Sequence, residues 1–308
     1  MKLQPAVEQY LALKQSLGFV YRSESTLLRA FSRAMGPLPA HQVQPEGVRA
    51  FLDGQGPLTR NGIFQWRTLR GFYRFAQARG LVRQSPLPAQ APKIVQDFTP
   101  YIYSLPELQR LLQAITPERT KGIAVDTMCT LLLLLYGAAL RLSEALNLET
   151  PDVDLDQQLL RIRCSKFFKS RWVPIGPKLT QVLADYQRQH PAVSGAHHRF
   201  LRTAKGAPLG RATVQALFRS LCRAAEVKRT DGATYQPRLH DLRHSAAVHR
   251  LVAWYRQGAD VQARLPQLSA YLGHANLAGT QRYLTLTPEL AAQAGARFAR
   301  YVWGGDHE

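Results

Sequence analysis

Between positions 240 and 283 the chain reads His240-Asp-Leu-Arg243-His244, then Leu272-Gly-His274, then a tyrosine nine residues later at Tyr283. About a hundred residues upstream stands Gly137-Ala-Ala-Leu-Arg141-Leu-Ser-Glu144. Guanidinium groups are planar, permanently charged forks that hold a phosphodiester bidentately. Imidazoles hydrogen-bond its oxygens or move protons, and a phenol can attack its phosphorus. Because a phenol with a pKa near 10 is protonated at neutral pH, such a tyrosine needs neighbours that ease the loss of its proton. Each residue taken singly has an ordinary structural reading: an arginine beside Glu144 or Asp241 as an ion pair, Tyr283 as one of twelve tyrosines. His240 and His244 are four apart, as in the HExxH zinc motif, but Asp241 stands where that motif has Glu and no third ligand follows. No metal is therefore expected.

Lys plus Arg is 40 against 21 Asp plus Glu, a formal charge of +19 with a pI near 10.3. A surplus of that size makes a positive potential that attracts nucleic acid, although a merely basic protein would share the composition. At 308 residues and 45% hydrophobic the chain can bury a large core, and two domains are expected. Cys129, Cys164 and Cys222 are scattered singly, with no CxxC spacing and no signal peptide before them. They read as reduced thiols in a cytosolic protein. The most apolar run, Met128 to Leu142, is too short to span a membrane and is flanked by Asp126 and Arg141, so it reads as a buried helix.

Ahead of the elements that carry this chemistry, residues 1–82 read as a small all-helical domain. Apolar residues recur at helical spacing at Ala6, Tyr10, Leu13 and Leu17, again at Leu27, Leu28 and Phe31, and again at Val48, Phe51 and Leu52. Ser23 or Ser25 is the candidate cap of the second helix. A fourth helix, about Thr59 to Arg79, carries Arg60, Arg67, Arg70 and Arg74 on one face with no acidic residue to pair them, which points to DNA phosphates; a solvated face is the alternative. Residues 83–100 hold Pro86, Pro88, Pro92 and Pro100 and read as an extended linker. The second domain, 101–308, opens on a capping-box pattern, Ser104-Leu-Pro-Glu107. It is mostly helical, with short β-rich runs at Leu159 to Cys164 and Arg171 to Ile175 that suggest a hairpin with a basic tip. Leu239 to Trp254 reads as one helix presenting His240 and Arg243 on the same face, and Leu290 to Val302 as a final helix.

The boxes in this second domain resemble those of the tyrosine recombinase family, also called phage integrases. Ala139-Leu-Arg141-Leu-Ser-Glu144 is similar to the family's first arginine box. Ser165-Lys166-Phe-Phe-Lys169-Ser-Arg171-Trp-Val-Pro174 looks like its hairpin lysine box, His240-Asp-Leu-Arg243-His244-Ser245 like its HxxR box, and Leu272-Gly-His274 with Tyr283 like its LGH box and nucleophile. The resemblance implies a mainly α fold with a small antiparallel β-sheet: a helical core-binding (SAM-like) domain followed by a mixed α/β catalytic domain. It implies that Arg141 and Arg243 clamp the scissile phosphate, Lys166 protonates the leaving 5′ oxygen, His240 assists proton transfer, His274 hydrogen-bonds the phosphate, and Tyr283 forms a 3′-phosphotyrosyl bond. Lys169 and Arg171 on the hairpin would join the Arg60, Arg67, Arg70 and Arg74 stripe in binding DNA. No cofactor is implied. The partners implied are double-stranded DNA with specific recombination sites, further copies forming a tetramer on it, and other recombinases or DNA-bending proteins.

Three features depart from the common pattern. Ala139 stands where the family commonly has glycine, the hairpin tip is Phe167-Phe168 rather than glycine-rich, and the stretch between Arg243 and His274 is longer. The leading reading is a site-specific recombinase working without metal or ATP. A type IB topoisomerase shares the chemistry, and a regulator that binds DNA without cutting it is the alternative from another class; strand exchange and a covalent adduct separate the three.

Overall fold

A computed structural model describes residues 1–54, 60–90, 99–120, 122–163, 170–191, 199–233, 235–274 and 276–285, with positions 292 and 295. The chain divides into two compact units, Met1–Phe98 and Thr99–Glu308.

In the first unit, α1 (Leu3–Ser16), α2 (Arg22–Met35), α3 (Pro45–Asp53) and α4 (Arg60–Ala78) enclose a core of Leu3, Val7, Leu28, Phe31, Val48, Leu69 and Phe72. These are the apolar positions of the helical repeats, turned inward because that is the only way each stripe leaves water. Helix α2 starts at Arg22, ahead of both candidate serine caps. Tyr21 takes the N-cap place with φ +47°, and Ser25 donates back to the Arg22 carbonyl at 2.8 Å. Gly71 lets α4 approach α1, since a Cβ there would stand 2.6 Å from the Tyr10 hydroxyl oxygen. Arg67, Arg70 and Arg74 are exposed on α4, opposite the buried Leu69, Phe72 and Ala76. The described part of the proline-rich stretch, residues 83–90, contains no helix or strand.

The second unit opens with α5 (Leu105–Gln113), whose Ser104–Glu107 capping box forms as the sequence suggests. Helix α6 (Val125–Gly137) is the buried apolar helix, with Met128, Leu131, Leu134 and Leu135 in the core. After α7 (Leu142–Asn147) come β1 (Val153–Asp154), β2 (Leu159–Ile162) and β3 (Arg171–Pro174), an antiparallel sheet in the order β1-β2-β3 with Leu160 opposite Val173. The expected hairpin thus gains a short third strand. Helices α8 (Pro177–Gln189) and α9 (Arg211–Ala224) precede α10 (Leu239–Arg256), α11 (Val261–Leu272), α12 (Ala278–Gln281) and a 3-10 turn, Arg282–Thr285, that carries Tyr283. Helix α10 packs along α6. Ser245 ties its middle to the start of the unit by accepting from the Tyr103 amide at 2.8 Å.

Lys166, Lys169 and Cys164 lie outside the described residues, as does nearly all of the final helix expected at 290–302. Cys129 and Cys222 are free thiols. Among the described residues no helix is long and apolar enough to cross a membrane, and no cluster of His, Cys, Asp and Glu suits a metal ion.

Candidate active site

The last turn of a helix leaves backbone carbonyls without intrahelical partners, at the negative end of its dipole. At the end of α11 three consecutive carbonyls each accept from a different arginine. Arg171 Nε donates to Tyr271 O at 3.0 Å, Arg243 Nη2 to Leu272 O, and Arg141 Nη2 to Gly273 O at 2.7 Å. Gly273 ends the helix with φ +63°, and a Cβ there would meet the Arg171 guanidinium within 2.8 to 3.0 Å. The glycine of the LGH box is therefore required twice, by its conformation and by the arginine packed on it.

Glu144 joins the same three guanidinium groups from the other side. It stands three residues into α7, where one carboxylate oxygen caps the Arg141 amide at 2.9 Å. The carboxylate also accepts from Arg141 Nη1 at 2.6 Å and from both terminal nitrogens of Arg171 at 2.9 and 3.0 Å, with Arg243 Nη1 3.8 Å away. Its side chain is 4% exposed. Burial by itself would raise its pKa, but the hydrogen bonds and charge of Arg171, then Arg141, outweigh that and hold it at about 2. Three guanidinium charges thus face one carboxylate, which leaves the cluster cationic.

Arg243, 1% exposed, rises from α10 and also donates from Nη1 to Ala139 O at 2.5 Å. Burial, then the charge of Arg141, lowers its pKa to about 10, so it stays protonated near neutrality. Ala139 has φ +49°, the left-handed conformation that glycine adopts without cost. The departure from the family's glycine therefore falls where the backbone still needs a glycine-like turn to aim its carbonyl at Arg243.

Tyr283 is 2% exposed, and its Oη lies 2.9 Å from His244 Nδ1. Burial raises its pKa, against the charges of Arg243, Arg282 and Arg141. The His274 ring stacks on it at 6.0 Å, with its own Nδ1 fixed by Thr280 Oγ1 at 2.7 Å. His240 packs edge-on against His244, 4.7 Å between ring centres. Its side chain opens to solvent, yet the protein atoms around it, then the charge of Arg243, lower its pKa to about 4. Beside Arg141 and His240 opens a cleft of about 530 Å³, also lined by Arg211, Gln215 and Arg219 of α9.

The structure thus brings Arg141, His240, Arg243, His274 and Tyr283 together, from the start of α7, from α10 and from the segment after α11. Arg171 departs from its expected place: instead of reaching out from the hairpin, its guanidinium turns inward, all three nitrogens bonded to Glu144 and the Tyr271 carbonyl. Asp241 serves as the cap of α10, accepting from the Arg238 amide at 2.9 Å and from its guanidinium, which accounts for the non-zinc residue in HDxxH. Three further participants carry no assigned role in the chemistry read from the sequence. Glu144 is read there as an ion-pair partner and as a member of a box, and its place three residues after Arg141 is the signal for a capping carboxylate. His244 is read as a turn-spaced partner of His240 and a member of the HxxR box, and Thr280 carries no signal.

A family model described as the phage integrase family matches residues 104–289. The putative integrase/recombinase y4rB of Sinorhizobium fredii strain NGR234 is 36% identical over 96% of this chain and 96% of its own. A lambda integrase dimer bound to a COC' core site superposes with a TM-score of 0.69 at 16% identity, covering 94% of this chain and 97% of that one. A lambda integrase tetramer bound to a Holliday junction gives 0.66 at 17% identity, over 90% of this chain and 78% of that one.

Proposed function

Since the chain belongs to the phage integrase family, and is a tyrosine-type site-specific recombinase acting on DNA, we propose that Tyr283 is its nucleophile and that Arg141 and Arg243 clamp the scissile phosphate. The observation that carries this reading is the suspension of both arginines from the 272 and 273 carbonyls, at the end of the helix that precedes the tyrosine's segment. A guanidinium already fixed on one edge needs no reorganisation to meet charge that develops on non-bridging phosphate oxygens. Arg171 acts behind them, holding Glu144.

In this mechanism the Tyr283 oxygen attacks phosphorus, the bond to the 5′ oxygen breaks, and a 3′-phosphotyrosyl bond conserves the energy for rejoining. Lys166 protonates the leaving oxygen, and His240, open to the cleft beside Arg141, assists. His274, its Nδ1 held by Thr280, offers Nε2 to a phosphate oxygen. Neither metal nor ATP takes part. Duplex DNA carrying a specific site is the substrate, contacted in the first unit by the Arg60, Arg67, Arg70 and Arg74 stripe and in the second by the cleft of Arg211 and Arg219 and by Lys169. The active form is a tetramer assembled on DNA, working with partner recombinases or DNA-bending proteins in the cytoplasm beside the nucleoid. The helical core-binding role falls to residues 1–82 and catalysis to 101–308.

A nicked suicide duplex tests the central claim, because the cut strand cannot be rejoined and the adduct accumulates. Wild-type protein should become covalently attached, and Tyr283→Phe should bind the duplex with unchanged affinity and form no adduct. A chelator should leave the wild-type rate unchanged. Adduct formation by Tyr283→Phe would refute the assignment.

A further inference from the structure

The phenol of Tyr283 enters the reaction neutral, so its proton must leave as the oxygen–phosphorus bond forms. Among the described residues, the hydrogen bond made by that hydroxyl is to His244 Nδ1, at 2.9 Å, with the two rings 5.5 Å apart. The neighbouring imidazoles are placed otherwise. His274 stacks on the phenol but commits its Nδ1 to Thr280, and His240 stands one ring further out, against His244 and towards the cleft of Arg141. One turn of α10 separates His240 from His244, so the helix presents two imidazoles to one centre at different depths.

We propose that His244 is the catalytic base of the nucleophile, taking the Tyr283 proton during cleavage and returning it during rejoining. The proposal rests on the reading of Tyr283 as nucleophile. In cleavage, a lone pair of Tyr283 Oη forms the bond to phosphorus while its proton passes to His244 Nδ1. The bond between phosphorus and the 5′ oxygen breaks, its electron pair stays on that oxygen, and Lys166 supplies the proton there. In rejoining, the 5′ hydroxyl attacks phosphorus as its proton returns to Lys166, the bond between phosphorus and Tyr283 Oη breaks, and His244 hands its proton back to the leaving phenolate.

Geometry dictates the protonation state this requires. With the phenol donating, Nδ1 accepts and the ring hydrogen sits on Nε2. Burial, followed by the neighbouring His240 ring and the charges of Arg238 and Arg243, lowers the His244 pKa to about 3, so the ring is neutral and its lone pair available. A bound phosphodiester brings negative charge that offsets those arginines and strengthens the base as the reaction begins.

Two features of the side chain can be separated by substitution. In His244→Asn the amide oxygen can stand near the place of Nδ1 and still accept from the phenol, but it does not take up a proton. Single-turnover adduct formation on the suicide duplex should then fall by about 10²-fold or more, with duplex affinity unchanged. Replacing Tyr283 by a trifluorinated tyrosine, whose phenol ionises near neutrality, should recover at least about tenfold of that loss in His244→Asn and not in His240→Asn. His244→Ala offers a second reading: added imidazole should raise its rate with saturation. A His244→Asn rate within about threefold of wild type would overturn the proposal, as would a loss that neither the fluorinated phenol nor imidazole relieves. Tyr283→Phe in parallel keeps the two failures apart. If it forms adduct, the nucleophile is misassigned; if it is inert while rescue fails, only the role of His244 falls.

Discussion

Glu144 and Arg171 meet through two parallel hydrogen bonds, Nη1 to Oε1 at 2.9 Å and Nη2 to Oε2 at 3.0 Å, which fixes the plane of each group by the other. The pair sits against the end of α11, and Arg141 and Arg243 hang from the next two carbonyls. Glu144 and Arg171 thereby determine where the two arginines of the proposed clamp are held.

The first prediction concerns the carboxylate. Glu144→Gln keeps the shape but leaves buried guanidinium groups without their counter-charge, a loss expected to cost about 3–5 kcal/mol at neutral pH. The folded pKa of Glu144 is near 2 against a usual 4.5, so its ionised form stabilises the fold above about pH 4.5, and that contribution is lost as pH falls towards 2. Its size is about 3 kcal/mol. Urea unfolding should show a gap between wild type and variant that is widest above pH 5 and closes on acidification. A gap constant from pH 7 to pH 3 would show that the charge is not what Glu144 supplies.

Arg243→Lys retains the charge and loses the fork. A single ammonium cannot replace the two guanidinium bonds to Ala139 O and Leu272 O, so a buried carbonyl is left short of a donor at a cost of about 1–3 kcal/mol. Cleavage should fall by about 10³-fold or more, because in the proposed clamp the missing donor also serves the phosphate. Wild-type single-turnover rates in this variant would remove Arg243 from the clamp.

Much of this site was legible because its elements follow local rules. The helical apolar spacing of residues 3–78 gave the first unit, the Ser104–Glu107 box gave the start of α5, and the four boxes named most of the residues that meet. What stayed hidden was direction. Nothing in the spacing of Arg171 distinguishes a guanidinium aimed at DNA from one folded back on Glu144, since that depends on pairing across β3, α7 and α11. The partner of His244 was hidden for a related reason: it is 39 residues away, on a short 3-10 turn beyond the left-handed Gly273. Ser23 and Ser25 misled because capping preference is local, whereas α2 begins where Tyr21 packs its ring beside Tyr10.

Gly273→Ala should be far more harmful than the same change at Gly258. Both have left-handed backbones, φ +63° and +68°, so each alanine incurs a conformational cost of about 1–2 kcal/mol. Only at Gly273 would the new Cβ also press on a guanidinium, within 2.8 to 3.0 Å, whereas Gly258 has nothing within 4 Å. Thermal unfolding should rank Gly273→Ala below Gly258→Ala, with cleavage reduced in the first alone. Equal behaviour of the two would mean that Arg171 yields without consequence.

Ala139→Gly tests the opposite case, a residue already strained. Alanine at φ +49° carries the left-handed penalty, and glycine removes it while adding back some unfolded-chain entropy. A net gain of about 0.5–1 kcal/mol is expected, with the carbonyl still aimed at Arg243 and cleavage preserved. A lower melting temperature for the glycine variant would contradict the strain.

The exposed arginines of α4 give the last prediction. Arg67, Arg70 and Arg74 stand on the face opposite the buried Leu69, Phe72 and Ala76, and Arg70 is braced over the Trp66 ring at 5.1 Å. Each phosphate neutralised by such a group releases condensed counterion, so binding weakens with salt in proportion to the number of contacts. Changing both Arg67 and Arg70 to Gln should flatten the log–log dependence of affinity on salt by about two units. Because backbone contacts carry no sequence information, affinity for specific and random duplexes should drop by the same factor. An unchanged slope would leave the stripe as a solvated face, and a loss confined to one sequence would instead mean that these arginines read bases.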